Sequence, residues 1–258
     1  MSSDFIAVNA RAVLEQHGLD SFEALWALKL DAVDAPNTGR GGWSSVYRLE
    51  LAGASGQTQA FYLKRQLNHL TRNLGHPLGE PTFAREFRAI QQFAGLGIPA
   101  LEAAFFGQRR VAEGQQAILL TRALDSYRPL DEWFADWHSV DFRARRDIIL
   151  ASAALVRALH NTGRIHNCLY PKHIFARVDG DGAGARLIDL EKTRRAWLGQ
   201  RDFVRDLETL QRRSQGPSRS ERLRFLLACL GQRRLNDQSR KIIAAITRRQ
   251  RGKQESKA

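Results

Sequence analysis

The sequence predicts an α+β chain, with a small β-rich lobe carrying one helix and a mostly helical lobe after it. Three observations predict this. Apolar residues alternate with a period of two in the first half, as in Ser45-Val-Tyr-Arg-Leu-Glu-Leu51, the mark of a half-buried strand. In the second half Ile148, Ile149, Ser152, Leu155, Val156 and Leu159 recur at helical spacing. The 258 residues are 43% hydrophobic, enough for the core of one large domain or a bilobal unit.

The elements follow in chain order. Residues 1–34 form an N-terminal extension with a short helix over residues 8–18. Ala35–Gly42 is glycine-rich turn chemistry. Strands over 45–51 and 60–65, joined by a turn at 53–57, make a hairpin. The basic stretch from Arg65 to His76 runs into Gly75 and Pro77 and reads as a loop or broken helix. Pro81 opens a helix that places Phe83, Phe87, Ile90 and Ala94 on one face. Strands over 101–106 and 116–121 complete a first lobe spanning 35–124. The second lobe, 125–247, begins with a long helix that stops at Asn161-Thr-Gly163. Strands near 173–178 and 185–190 follow, joined by the hairpin turn Asp179-Gly-Asp-Gly-Ala-Gly184. Its Asp-x-Asp-Gly start invites a calcium-loop reading, but the rest of that pattern, including a closing Glu, is missing. Helices near 202–214, 218–230 and 235–249 end the lobe, and 248–258 reads as a mobile basic tail.

Composition excludes several classes. No apolar run approaches the ~18–20 residues of a membrane-spanning helix. The first residues lack the basic-then-apolar layout of a signal peptide. Cys168 and Cys229 are far apart, which fits a reducing cytoplasm better than a disulfide framework. The net charge of +13 points to an anionic partner: nucleic acid, an anionic membrane surface or a phosphorylated substrate. Nucleic acid has only the charge in its favour, because RNP-type strands, zinc-finger spacing and a recognition helix are all absent.

The chemistry concentrates in a few places. Arg164-Ile-His-Asn-Cys-Leu-Tyr-Pro-Lys-His-Ile-Phe175, followed by Leu187-Ile-Asp-Leu-Glu191, has the layout of a phosphotransferase catalytic loop and metal-binding strand. Phosphoryl transfer needs positioning and charge neutralisation more than covalent chemistry. Lys64, in an apolar strand, either snorkels to water or meets an acid, and Glu86 on the following helix supplies that acid. Asp189, enclosed by Leu187, Ile188 and Leu190, reads as a magnesium ligand, with a turn cap or buried salt bridge as alternatives. Gly39, Gly41 and Gly42, with Ser44, Ser45 and Val46, form either a nucleotide-covering loop or a plain turn. His166 suits a loop-tying role, and His173 either a structural role or a metal or phosphate contact. Cys168 stands where a kinase has its catalytic Asp. His166, Cys168 and His173 also suggest zinc, but no distant cluster completes such a site. Asp206 either buttresses the loop through its backbone N–H groups or is a surface residue paired with Arg205 or Arg213.

Gly42-Trp-Ser-Ser-Val46, Leu63-Lys-Arg65, Pro81-Thr-Phe-Ala-Arg-Glu86, the 166–175 loop and Leu187-Ile-Asp-Leu-Glu-Lys192 together resemble the lipopolysaccharide kinase family. This family includes the heptose and Kdo kinases, and its InaA-like branch is the nearest match. The resemblance covers about residues 35–215 and implies a protein-kinase-like bilobal fold. It implies transfer of the γ-phosphate of ATP, with Mg²⁺, to a sugar hydroxyl of the lipopolysaccharide core or its lipid-linked precursor, at the cytoplasmic face of the inner membrane. On this resemblance Lys64 holds the α/β-phosphates, Glu86 orients it, and Asp189 holds magnesium with His173 beside it. Cys168 departs from the heptose kinases, and a pseudokinase serving as a binding or regulatory module is the alternative reading.

Overall fold

Strand alternation carries the first part of the chain. The computed structural model describes residues 4–255 except 40, 55, 74 and 181, and the side chains of Asn73 and Gln254 lie outside the described set. Two compact units are resolved: Met1–Ala94 with Leu101–Asp125, and Gly95–Ala100 with Ser126–Ala258.

In the first unit, strands β1 (Phe5–Ile6), β2 (Trp43–Ala52), β3 (Thr58–Leu67), β6 (Ala103–Val111) and β7 (Gly114–Arg122) form a sheet in the order β1-β6-β7-β3-β2. Every neighbouring pair is antiparallel. Along β3 the period of two divides the faces. Phe61 and Leu63 join the apolar core, while Lys64 and Gln66 point the other way. Helices α1 (Val8–Gln16) and α2 (Phe22–Ala27) supply Ala10, Val13, Leu14, Phe22 and Leu25 to that same core. Residues 4–34 are therefore integral to the unit and not an appendage to it. A sheet left bare on that face would expose Leu49, Leu51, Phe105 and Leu120 to water.

Two expectations fail in this unit. The Arg65–His76 stretch is neither loop nor broken helix. It contains β4 (Leu70–Asn73), which pairs with β5 (His76–Pro81) as a separate two-stranded ribbon. Gly75 lies at the ribbon's tip and Pro77 on its second strand, a position tolerated where the ribbon has no further neighbour. In α3 (Thr82–Gly95) the buried face runs through Phe83, Glu86, Ile90 and Phe93, whereas Ala94 is exposed and Phe87 half-buried against Phe106. Apolar periodicity misplaces the face because a charged residue, Glu86, belongs to it.

The second unit opens with β8 (Arg128–Pro129) and α4 (Leu130–Ala135), then the long α5 (Phe142–Asn161). Asp141 caps α5 by accepting from Arg143 N and Ala144 N, and Gly163, at φ 70°, ends it. Its buried face is the predicted one, with Ala153 added. Strands β10 (Ile174–Asp179) and β11 (Gly182–Leu187) pair as expected, and β8 adds to β10. Asp181, part of the calcium-loop reading, lies outside the described residues. A second small sheet pairs β9 (Arg164–Ile165) with β12 (Arg194–Arg195). Helices α6 (Gln200–Arg213), α7 (Arg219–Cys229) and α8 (Asp237–Glu255) follow. Ser218 and Glu221 form a capping box at the start of α7.

The mobile tail expected over 248–258 is also corrected as far as Glu255, since α8 continues to that residue. Residues 256–258 lie outside the described set. The reason is electrostatic and non-local. Lys253 donates to fully buried Glu208 of α6, which Arg212 also contacts at 2.9 Å. Burial pushes the Glu208 carboxyl up, but the two cations outweigh it and hold it below the usual range. No helix among the described residues is long and apolar enough to cross a membrane.

Candidate functional site

In the first unit Lys64 sits mid-strand in β3, opposite Val46 on β2 and Leu119 on β7. Its ammonium Nζ lies 2.7 Å from Glu86 Oε1, and the Glu86 side chain is only 5% exposed. A carboxylate this buried is costly unless paired, so the ion pair explains why Glu86 can occupy the inner face of α3. Gln66, two residues along the same strand face, is fully buried and holds the helix start. Its Oε1 accepts from Phe83 N at 3.0 Å and Thr82 Oγ1 at 2.8 Å, and its Nε2 donates to His69 O. Strand β3 thus grips α3 at its first turn and one turn further on. Sequence reading missed Gln66. The available signal was a polar residue two positions beyond Lys64, on the same face of the strand.

The glycine-rich stretch is a turn closed by Asn37 and Ser44, which exchange backbone hydrogen bonds at 2.9 Å in both directions. Gly39 N donates to Asn37 Oδ1 and Gly42 N donates to Gly39 O. Those two N–H groups are committed within the turn. Gly41 has φ 78°, a conformation that suits glycine. Gly42 is required for a different reason: a Cβ there would lie 2.1 Å from Leu67 O. Ser45 is buried with its Oγ unpartnered, whereas Ser44 and Val46 are half-buried.

In the second unit the loop between β9 and β10 is built by buried polar groups. Asp206 of α6, 2% exposed, accepts from His166 N at 2.8 Å, Asn167 N at 2.9 Å and His160 Nε2 at 3.3 Å. Of the two readings offered by the sequence, the loop buttress is the observed one. Asn167 adopts φ 64°, a left-handed turn that Asn tolerates better than most residues. Fully buried His166 lies 2.9 Å from Ile188 O, and since a carbonyl only accepts, Nε2 carries the proton. The imidazole therefore ties the loop to the segment ahead of Asp189. Cys168 is buried, and its carbonyl accepts from Tyr170 N and from His173 Nδ1 at 2.9 Å.

This last bond fixes the state of His173. Nδ1 bears the proton, so a neutral ring presents the Nε2 lone pair to Asp189 Oδ2, 3.2 Å away. Burial pushes the His173 pKa down, against the opposing pull of Asp189, and favours that neutral form. Two electron-pair donors facing one another call for a cation between or beside them. Asp189 holds a left-handed conformation, φ 56° and ψ 57°, and its side chain is 43% exposed. Backbone strain of this kind collects at functional positions. Among the described residues no group of three or more His, Cys, Asp or Glu converges on one point. The zinc reading finds no such convergence among them. Magnesium needs less: one or two carboxylates, with phosphate and water completing its shell. Asp189 fits that demand, whereas the imidazole of His173 beside it is a poorer partner for so hard a cation.

Around the loop, Arg194 clamps Asp202 at 2.8 and 3.0 Å and depresses its carboxyl to about 2. A depressed folded-state pKa stabilises the fold above the unfolded value near 3.9, and that contribution disappears as pH falls through about 2. Asp202→Asn should therefore destabilise the protein by on the order of 1–2 kcal/mol at neutral pH and flatten its acid limb. Urea titrations at pH 7 and in the acid range check this; parallel acid limbs for wild type and variant would refute the assignment.

The model of the lipopolysaccharide kinase (Kdo/WaaP) family matches residues 23–228, which include Lys64, Glu86, the 166–175 loop, Asp189 and Asp206. Protein InaA of Escherichia coli (strain K12) is 31% identical over 199 residues, covering 75% of this chain and 88% of that protein. The solved structure of WaaP in complex with acyl carrier protein is similar with a TM-score of 0.66 at 22% identity, covering 96% of this chain and 98% of that one. That likeness establishes the protein-kinase-like fold. With the family match running across most of its length, the chain belongs to the lipopolysaccharide kinase (Kdo/WaaP) family.

Proposed function

We propose that this phosphotransferase-family protein moves the γ-phosphate of ATP to a sugar hydroxyl of the lipopolysaccharide core, or of its lipid-linked precursor, at the cytoplasmic face of the inner membrane. The observation that carries this reading is the 2.7 Å Lys64–Glu86 pair, an expensive buried arrangement whose use in kinases is to hold a lysine against phosphate oxygens. In this reading Lys64 contacts the α/β-phosphates and Glu86 fixes its rotamer. Val46, Lys64's cross-strand neighbour, lies under the base, with Gly41, Ser44 and Ser45 near the phosphates. Asp189 holds Mg²⁺, with His173 beside it. Magnesium ATP, when bound, supplies the transferable phosphoryl group and neutralises its charge. His166 and Asp206 keep the loop rigid, and Cys168 and Lys172 lie beside the acceptor.

General-base help is worth ~10²–10⁴-fold, and a loose phosphoryl transition state needs little early deprotonation of the acceptor. The lack of any Asp or Glu in 164–175 is thus compatible with a slow enzyme. It also supports the second reading, a pseudokinase that binds nucleotide and acts as a regulatory module. Calorimetry of ATP with Mg²⁺, then transfer of labelled phosphate to lipopolysaccharide core, separates the two. Transfer that Lys64→Met lowers by roughly 10²-fold is the expected result. Binding without transfer would establish the pseudokinase, and no binding by folded protein would defeat both readings.

A further inference from the structure

The charge of the chain has a local focus that phosphotransfer does not use. A groove between α6 and α8, about 350 Å³, is lined by Gln200, Arg201, Val204, Lys241, Ile242, Ala245, Arg248 and Arg249. Val204, Ile242 and Ala245 give it an apolar floor, and four cations rim it with no acidic residue in the lining. Ahead of Gln200, with Gly199 between, stand Trp197 and Leu198, 79% and 63% exposed and among the most exposed large apolar side chains described.

This tip is held firmly. Leu198 N donates to Asp202 Oδ2 at 3.1 Å, Arg201 N donates to Leu198 O, and the Arg194 guanidinium lies 5.1 Å from the centre of the Trp197 ring. Exposing an indole and a leucyl chain on a braced turn loses apolar burial without gaining flexibility. Trp prefers the boundary between acyl chains and headgroups, and anionic leaflets attract clustered Lys and Arg. An apolar tip that leads within two residues into the lining of a cationic groove matches that boundary in both of its parts.

We propose that Trp197, Leu198 and the groove rimmed by Arg201, Lys241, Arg248 and Arg249 form a membrane-docking surface. Trp197 and Leu198 enter the headgroup boundary, and the groove takes the phosphates of anionic phospholipids. The surface stands whether or not the phosphotransferase reading does, because its test needs no nucleotide.

The full chain should sediment with vesicles of phosphatidylcholine containing phosphatidylglycerol, and far less with phosphatidylcholine alone. Two double variants dissect the surface: Trp197→Ala with Leu198→Ala, and Arg248→Ser with Arg249→Ser. Each should weaken vesicle partition by roughly tenfold, with unchanged thermal melts, since all four side chains are exposed. Only the arginine pair should reduce the salt dependence. Wild-type affinity in both variants, or no sedimentation of the wild type with anionic vesicles, would overturn the proposal. So would tight binding to duplex nucleic acid that needs the arginines but not Trp197 or Leu198, which would mark the groove as a nucleic-acid surface.

Discussion

Asp189→Asn should weaken magnesium-dependent nucleotide binding by roughly 10²–10³-fold, while Cys168→Ala should change binding and turnover by less than tenfold. Asn accepts the left-handed conformation at least as readily as Asp, so the substitution spares the backbone at φ 56°. What it removes is the negative charge beside His173 Nε2, at 3.2 Å. An amide oxygen is a weaker ligand for a hard cation than a carboxylate. Calorimetry with and without Mg²⁺ reads the first effect. The second follows from the loop: the bonds that shape it involve Cys168 only through its carbonyl. A Cys168→Ala protein devoid of nucleotide turnover would show that the thiol itself takes part in the chemistry.

Asp206→Ala should cost about 3–5 kcal/mol of stability. The carboxyl accepts from two backbone N–H groups and a His ring in a place that water does not reach. Truncation leaves those donors buried without partners, at about 1–3 kcal/mol each. Against a typical total of 5–15 kcal/mol this is a substantial fraction. The midpoint of urea unfolding should fall accordingly, and circular dichroism should show secondary structure retained at low denaturant. A midpoint within error of wild type would mean that the loop keeps its shape without Asp206.

Much of this was legible in the sequence because its signals were local. The alternation in β2, the long face of α5 and the stop at Gly163 each lie within one window of residues. Lys64 and Glu86 were legible as a pair because a charge on an apolar element needs a partner, and the distance between them confirms the contact. The failures have remote causes. The last turns of α8 depend on Glu208, far back in α6. The first two helices matter because they cover Leu49, Leu51 and Phe105 of the sheet. Gln66 acts through a helix start on another element. The β4–β5 ribbon was hidden by Gly75 and Pro77, which signal a turn without showing that strands flank it.

The loop around position 168 has one more consequence. Asp206, His166 and His173 shape it through hydrogen bonds to backbone atoms, and among the described residues none of these bonds runs to the Cys168 side chain. The turn is therefore set independently of the buried side chain at 168. A substitution there that keeps the volume changes the chemistry of the loop without removing any of the bonds that shape it.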